Sequence, residues 1–279
     1  MGLSVNTNVA AFNAYRNVMS SNSSVGSSLE KLSSGFRINR AADDAAGLAI
    51  SEGLKSQIGG LTVAVRNAQD GTSVVQTAEG ALTETQSILQ RMRDLTVQSG
   101  NSGVLDTNAK ADLQSEVTSL NAELDRIASK TTFNNVNLLD GTYSAKNFQV
   151  GYAGGDTIAV TIDNGTATKG FNSTDLGTSA VDLTTSANTA TDLTSIDAAL
   201  QKVSSSRATL GALQNRFTHV VNSANVAIEN LSASNSRIRD TDMASEMTKF
   251  TQAQILQQAG TAMLAQANSA PQSILKLLQ

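Results

Sequence analysis

The 279 residues include no cysteine, which excludes disulfides and thiolate metal sites and leaves the redox state of the compartment unwritten in the sequence. Tryptophan is absent and aromatics make up 4% of the chain, so a conventional compact core would lack its bulkiest fillers. A single proline, Pro271, leaves room for very long uninterrupted helices. Charged residues are 16% of the chain, against a usual value of about 25%. The net charge of −4 comes with no basic cluster, so there is no electrostatic footprint for nucleic acid. No run of about 18 apolar residues offers a membrane span. The opening residues lack a basic stretch followed by an apolar one, so no cleavable secretory signal is expected.

Catalytic chemistry is equally thin. His219 is the only histidine and falls inside a helical pattern between Phe217 and Val221. There is no cysteine nucleophile, no phosphate-cradling glycine loop after a strand and no His-Glu-x-x-His. Asp43 and Asp44 adjoin Ala45-Ala46, where a helix begins, and read as caps that also offset the N-terminal dipole. A catalytic or metal-binding carboxylate pair would need a third ligand nearby. No catalytic residue, metal or cofactor is expected.

What the chain has in abundance is helical periodicity on both sides of a poor helix former. Of the 55 residues in 141–195, 33 are Gly, Ser, Thr, Asn or Asp, the chemistry of turns and loops. This segment holds two period-two patterns, Phe148-Val150-Tyr152 and Ile158-Val160-Ile162. Gly154-Gly155 between them suits a hairpin connection, and Asp163-Asn164-Gly165 supplies further turn chemistry. The sequons at Asn164 and Asn172 read as markers of exposed loops. The expectation is a rod that runs out, turns through a small β-rich tip and runs back. Because 165–186 carries few apolar side chains, its deletion is expected to leave assembly intact.

The helices follow from heptad-like spacing. Leu54, Leu61, Ala68, Val75, Leu82 and Leu89 form one string in a helix reaching about Gln98, and turn residues at 100–103 end it. Leu113, Val117, Leu120, Leu124 and Ile127 are spaced 4-3-4-3, and the short loop makes this helix antiparallel to its neighbour. Thr194-Ser195-Ile196-Asp197 resembles a capping box. It opens a seam of Ile196, Leu200, Val203, Arg207, Leu210, Gln214, Phe217, Val221, Ala224, Ile228 and Leu231. Arg207 and Gln214 either specify register from within that seam or lie at the bundle edge, the reading preferred here.

The two ends match each other. Val5, Val9, Phe12, Met19, Val25, Leu29 and Leu32 recur at helical spacing, and Arg16 is the only charge in the first 29 residues. A last helix is expected from Met243 to Ala270, and the 26 residues between Lys249 and Lys276 carry no charge. Mixed-charge breaks at 37–44 and 237–242 set both ends off. Such helices have thin apolar stripes and little to gain by ordering alone, which suits an assembly with neighbours on several sides. Val5, Val9, Phe12, Leu29, Leu32, Phe250, Ile255, Leu264, Leu275 and Leu278 are the expected assembly seams. The fold class expected is mainly α: an elongated antiparallel helical bundle or coiled coil with a small hairpin-containing central segment and paired terminal helices. Its parts would be a terminal domain of 1–42 with 243–279, and a rod of 43–242 with 141–195 as its surface-exposed segment.

LSSGFRINRAADDAAGLAIS (32–51) and LSVNTNVAAFNAYRN (3–17) resemble the N-terminal signature of bacterial flagellin. LGALQNRF (210–217), SRIRDTDMASEM (236–247) and AQILQQAGTAMLAQANSAPQSILKLL (253–278) resemble its C-terminal half in the same order. The resemblance implies a subunit that polymerises with itself into the flagellar filament for swimming. It also implies export through the flagellar type III apparatus without a cleaved signal, a cytosolic chaperone for the C-terminal helix, and filament cap and hook-associated partners. Neither nucleic acid nor membrane insertion is implied. QRMRDLTVQ (90–98) is similar to the segment read by the flagellin-sensing toll-like receptor. That places Gln90, Arg91 and Leu95 at the contact with Glu116 nearby, and Asp94 stands where Glu is common. ILKLLQ (274–279) is similar to the segment sensed by cytosolic inflammasome receptors, with Gln279 in place of the commoner Arg. A hook–filament junction protein would share the terminal motifs, and a coiled-coil adhesin or scaffold would share the periodicity alone.

Overall fold

The computed structural model describes residues 7–101, 103–166, 169–185 and 188–277, with side chains as far as residue 269. The fold is mainly α. Its helices are α1 (Val9–Ser34), α2 (Ala45–Ser99), α3 (Thr107–Lys130), α4 (Ser173–Leu176), α5 (Thr189–Arg239) and α6 (Met243–Leu277). Two antiparallel strand pairs lie between α3 and α4: β1 (Thr132–Phe133) with β2 (Val136–Asn137), and β3 (Lys146–Gln149) with β4 (Thr157–Val160). The chain divides into two compact units, 57–228 and 1–56 with 229–279.

In unit 57–228 the heptad strings become the core. Leu61, Ala68, Val75, Leu82 and Leu89 of α2 are buried, as are Val117 and Leu124 of α3 and Ile196, Val203, Leu210 and Phe217 of α5. An ion pair from Arg91 to Glu116 (2.7 Å) and a cleft shared by Ala81, Ile88, Ile127 and Thr131 run α3 antiparallel to α2. Arg93 to Asp197 (2.7 Å) at one level, and Gly71 against Phe217 at another, run α5 antiparallel to α2 as well. Asp106 caps α3 by accepting from the Ala109 amide. Arg207 is intermediate between the two readings considered for it. Its side chain is half-buried, donates to Gln86 at 2.6 Å and faces Glu79 at 3.7 Å.

The central segment differs most from expectation. It is not a tip. Gly100, in the turn after α2, lies beside Thr189 at the start of α5, whereas the β3–β4 connection reaches back to Gly60, which abuts Tyr152. Between these levels Phe171, Leu176, Val181 and Leu183 are all buried in the same core as Leu89 and Leu124. Ser173 donates to Asp125, Thr178 to Asn121 and the Leu183 amide to Gln114, so this stretch is stitched along α3. Segment 165–186 does carry few apolar side chains, but four of them, Phe171, Leu176, Val181 and Leu183, complete the core. The sequons mark no exposed asparagine either. Asn164 is buried and donates to the Asp175 carbonyl, and Asn172 caps α4.

Local chemistry explains the remaining differences. Asn134 and Asn135, both at positive φ, make the tight turn of β1–β2, which asparagine tolerates better than other residues with a Cβ. The expected capping box is interior. α5 begins at Thr189, and the hydroxyls of Thr194 and Ser195 donate back to Ala190 and Thr191. The β3–β4 pairing sets Phe148 opposite Ile158, with Gly155 at φ +103 in the connection.

In unit 1–56 with 229–279 the two mixed-charge breaks join each other. The Arg37 amide donates to the Arg239 carbonyl (2.7 Å) and the Thr241 amide to the Gly35 carbonyl (2.9 Å). The Arg239 guanidinium sits 4.7 Å over the Phe36 ring and pairs with Glu52 at 2.7 Å. Each break also supplies a cap, since Asp44 accepts from Gly47 and Asp242 from Ala244 and Ser245. Asp43 does not cap α2. It accepts from the Asn39 and Arg40 amides, which hold its carboxyl below the usual range. Gly35, at φ +76, closes α1 in the left-handed conformation glycine adopts freely. α6 continues past Ala270 and through Pro271 to Leu277, against the expected stop.

Candidate assembly surface

α1 and α6 lie side by side and antiparallel. Asn8 bonds Ala267, Asn22 bonds Gln257, and Ser28 bonds Glu246. Along α1 the half-buried and buried positions at heptad spacing are Ala11, Ala14, Val18, Ser21, Val25, Ser28 and Leu32, with Glu30 and Lys31 also half-buried, and along α6 they are Glu246, Phe250, Ala253, Gln257, Gly260, Leu264 and Ala267. Both series keep heptad spacing, but half of the members are Ala, Ser or Gly. Gly260 approaches so closely that an added Cβ would fall 2.8 Å from a Val18 methyl. Small residues allow this approach, yet they bury little apolar area.

One polar contact is enclosed by the seam. The Ser28 hydroxyl donates to Glu246 at 2.6 Å, and both residues are buried. That hydrogen bond, with Lys249 and Lys31 beside it, keeps the Glu246 carboxyl below its ordinary range despite desolvation. Glu246 is a site residue that sequence reasoning missed. Its signal was present as one acid in a nearly uncharged heptad position.

Many of the large apolar side chains of these helices point elsewhere. Val9, Phe12, Tyr15, Met19 and Leu29 of α1 are exposed, as are Met247, Ile255, Leu256 and Met263 of α6, with Phe12 at 65% and Ile255 at 60%. Met247, Ile255 and Leu256 line a shallow groove of about 520 Å³. The expected seam residues thus separate into two sets. Val9, Phe12, Leu29 and Ile255 face outward, while Leu32, Phe250 and Leu264 sit within the helix pair. Val5 and Leu278 lie outside the described residues, and Leu275 lies in α6 beyond the last described side chain.

The residues expected at a receptor contact fall in unit 57–228. Gln90 and Arg91 are exposed on α2, and Arg91 is paired to Glu116 across to α3. Leu95 is not with them at the surface, because it is completely buried in the core cluster. The helical period carries it onto the inner face of α2. His219 is exposed on α5.

A helix pair with a lean seam and a rich exterior is the geometry of a polymer subunit, and known sequences agree with it. Residues 5–144 match the bacterial flagellin N-terminal helical region and residues 193–278 match the C-terminal helical region. The chain belongs to the bacterial flagellin family. It is 48% identical to a flagellin of Bacillus subtilis, covering 99% of both chains. A flagellin of Halalkalibacterium halodurans is 47% identical, also over 99% of each chain. The flagellar filament 33 kDa core protein of Treponema phagedenis is 45% identical with the same coverage. The N-terminal match covers α1 to α3 and the C-terminal match most of α5 and α6, and the central segment between them includes the part stitched along α3.

Proposed function

We infer that this flagellin is the structural subunit that polymerises into the bacterial flagellar filament used for swimming. One observation carries the reading. The helices α1 and α6 bury few large apolar side chains against each other, among them Leu32, Phe250 and Leu264, and leave Phe12, Tyr15, Met19, Ile255, Leu256 and Met263 open to solvent. Monomeric proteins rarely display such contiguous apolar faces, and repeated copies of one chain would cover them. Purified subunits added to sheared filament seeds should grow micrometre-scale filaments by electron microscopy. Phe12→Ser should slow that growth without moving subunit unfolding. Folded subunits that never add to seeds would exclude the reading.

Within this reading, residues 1–42 and 243–279 form an inner layer and 43–242 an outer layer, with the outward side of 141–195 meeting the medium. Family membership supports flagellar type III export without a cleaved signal, a cytosolic chaperone, and cap and hook-associated partners. Gln90, Arg91 and Glu116 form the surface offered to a host receptor, and Leu95 supports them from beneath. Arg91→Ala should lower receptor signalling while leaving thermal unfolding unchanged. Leu95→Ala should lower both.

A further inference from the structure

The chain has six methionines, and Met1 lies outside the described residues. Met92 is fully buried in the core of unit 57–228. The other four are all open: Met19 at 51%, Met243 at 48%, Met247 at 49% and Met263 at 64%. All four belong to α1 or α6. Methionine is ordinarily a core residue, so four exposed methionines along the outward sides of α1 and α6 need a chemical account. Its thioether is the softest and most readily oxidised group in a chain with no cysteine to compete.

We propose that Met19, Met243, Met247 and Met263 are a set of oxidation-sensitive positions that decides whether a free subunit can polymerise. Peroxide transfers one oxygen atom to each sulfur and leaves as water. The sulfur is oxidised to the sulfoxide and the peroxide oxygen is reduced. The product is polar and stiffly oriented where the thioether was apolar and adaptable. At Met247 the new oxygen would enter the groove of Ile255 and Leu256. The hydroxyls of Thr248 and Thr251 in that groove are already committed to carbonyls of their own helix. Gln252 is the remaining side-chain donor lining the groove, and a polar oxygen placed against Ile255 and Leu256 opposes closure of the contact. Burial in the polymer shields the same sulfurs, so the sensitivity belongs to the subunit before assembly. The inference rests on the assembly reading above.

Soluble subunits treated with hydrogen peroxide should gain oxygen at residues 19, 243, 247 and 263 and not at 92, as mapped by mass spectrometry. Growth on filament seeds should then slow by at least about tenfold while thermal unfolding of the subunit is unchanged. Methionine sulfoxide reductases with a dithiol should restore growth, the oxygen leaving as water as the dithiol becomes a disulfide. A variant with all four replaced by leucine should grow alike before and after peroxide, and preformed filaments given the same dose should stay reduced. Undiminished growth of subunits oxidised at all four positions would overturn the proposal. So would a loss of growth that the reductases do not reverse or that persists in the leucine variant. Failure of untreated subunits to grow is a different result, and it would count against the assembly reading itself.

Discussion

Asn8 donates its side-chain amide to the carbonyl of Ala267 at 2.8 Å, and this is the carbonyl that Pro271, lacking an N–H, leaves without its helical partner. The other end of the same side chain caps α1 by accepting from the Ala11 amide at 3.0 Å. One asparagine therefore starts one helix and repairs the other, which is how α6 passes through a proline without breaking. Asn8→Ala should remove a cap and a partner, each costing about 1 kcal/mol. In a Pro271→Ala background the second loss should shrink, because the ladder is restored. Heat-driven dissociation of filaments carrying the single and double changes measures that coupling, and strictly additive losses would contradict it.

Gly71 should tolerate no side chain. Phe217 ring atoms lie 2.6–3.1 Å from where a Cβ would stand, and the ring packs edge-on against Phe148 with centroids 5.7 Å apart. Gly71→Ala gains up to about 1 kcal/mol of helix propensity but overpacks the core at a cost of about 1–3 kcal/mol. A net loss in urea unfolding is expected, partly recovered by pairing the change with Phe217→Leu.

The central segment should hold the fold rather than decorate it. Phe171→Ala empties a site only 1% exposed and should cost about 3–5 kcal/mol, and Leu124→Ala about 2–5 kcal/mol. The exposed Ser119→Ala should stay within about 0.5 kcal/mol. Deleting 165–186 should abolish cooperative unfolding of unit 57–228. A deletion variant with an unchanged melting curve would restore the idea of a dispensable tip.

Acid should loosen the α1–α6 pair through Glu246. Its carboxyl is held below the ordinary value of 4.5, first by the Ser28 hydroxyl. A depressed acid pKa contributes stability that is complete above the ordinary value and lost as pH falls through the lower folded value. Ser28→Ala brings the two values together, so its filaments should dissociate at higher pH than the parent. Sedimentation across an acid series reads the midpoint, and coincident midpoints would show that the contact is not felt.

The rod helices were legible because their seams use large residues at heptad spacing among polar ones, as at Leu82, Leu89, Val117 and Leu124. The seam of α1 and α6 was legible only in part, at Leu32, Phe250 and Leu264, because many of its other positions are small, as at Ala14, Ser21, Ala253 and Gly260. A search for bulky side chains lands instead on Phe12 and Ile255, which face away. Phe171, Leu176, Val181 and Leu183 follow no helical or strand period, so composition alone marked their segment as loop. The start of α5 was hidden by a cap-like tetrapeptide whose hydroxyls serve the helix interior. Motif similarity also pointed to Arg91 and Glu116, which the structure pairs across α2 and α3. It could not tell which side of α2 carries Leu95.

The lean seam between α1 and α6 also separates two quantities that most oligomers tie together. The stability of the free subunit rests on buried side chains such as Leu82, Phe171 and Phe217, while on the assembly reading proposed above the critical concentration for filament growth would rest on exposed ones such as Phe12, Ile255 and Met263. Substitutions in the second group should then leave the unfolding of the lone chain unchanged. Filament strength in this flagellin can therefore drift, or be engineered, without the folded subunit registering the change.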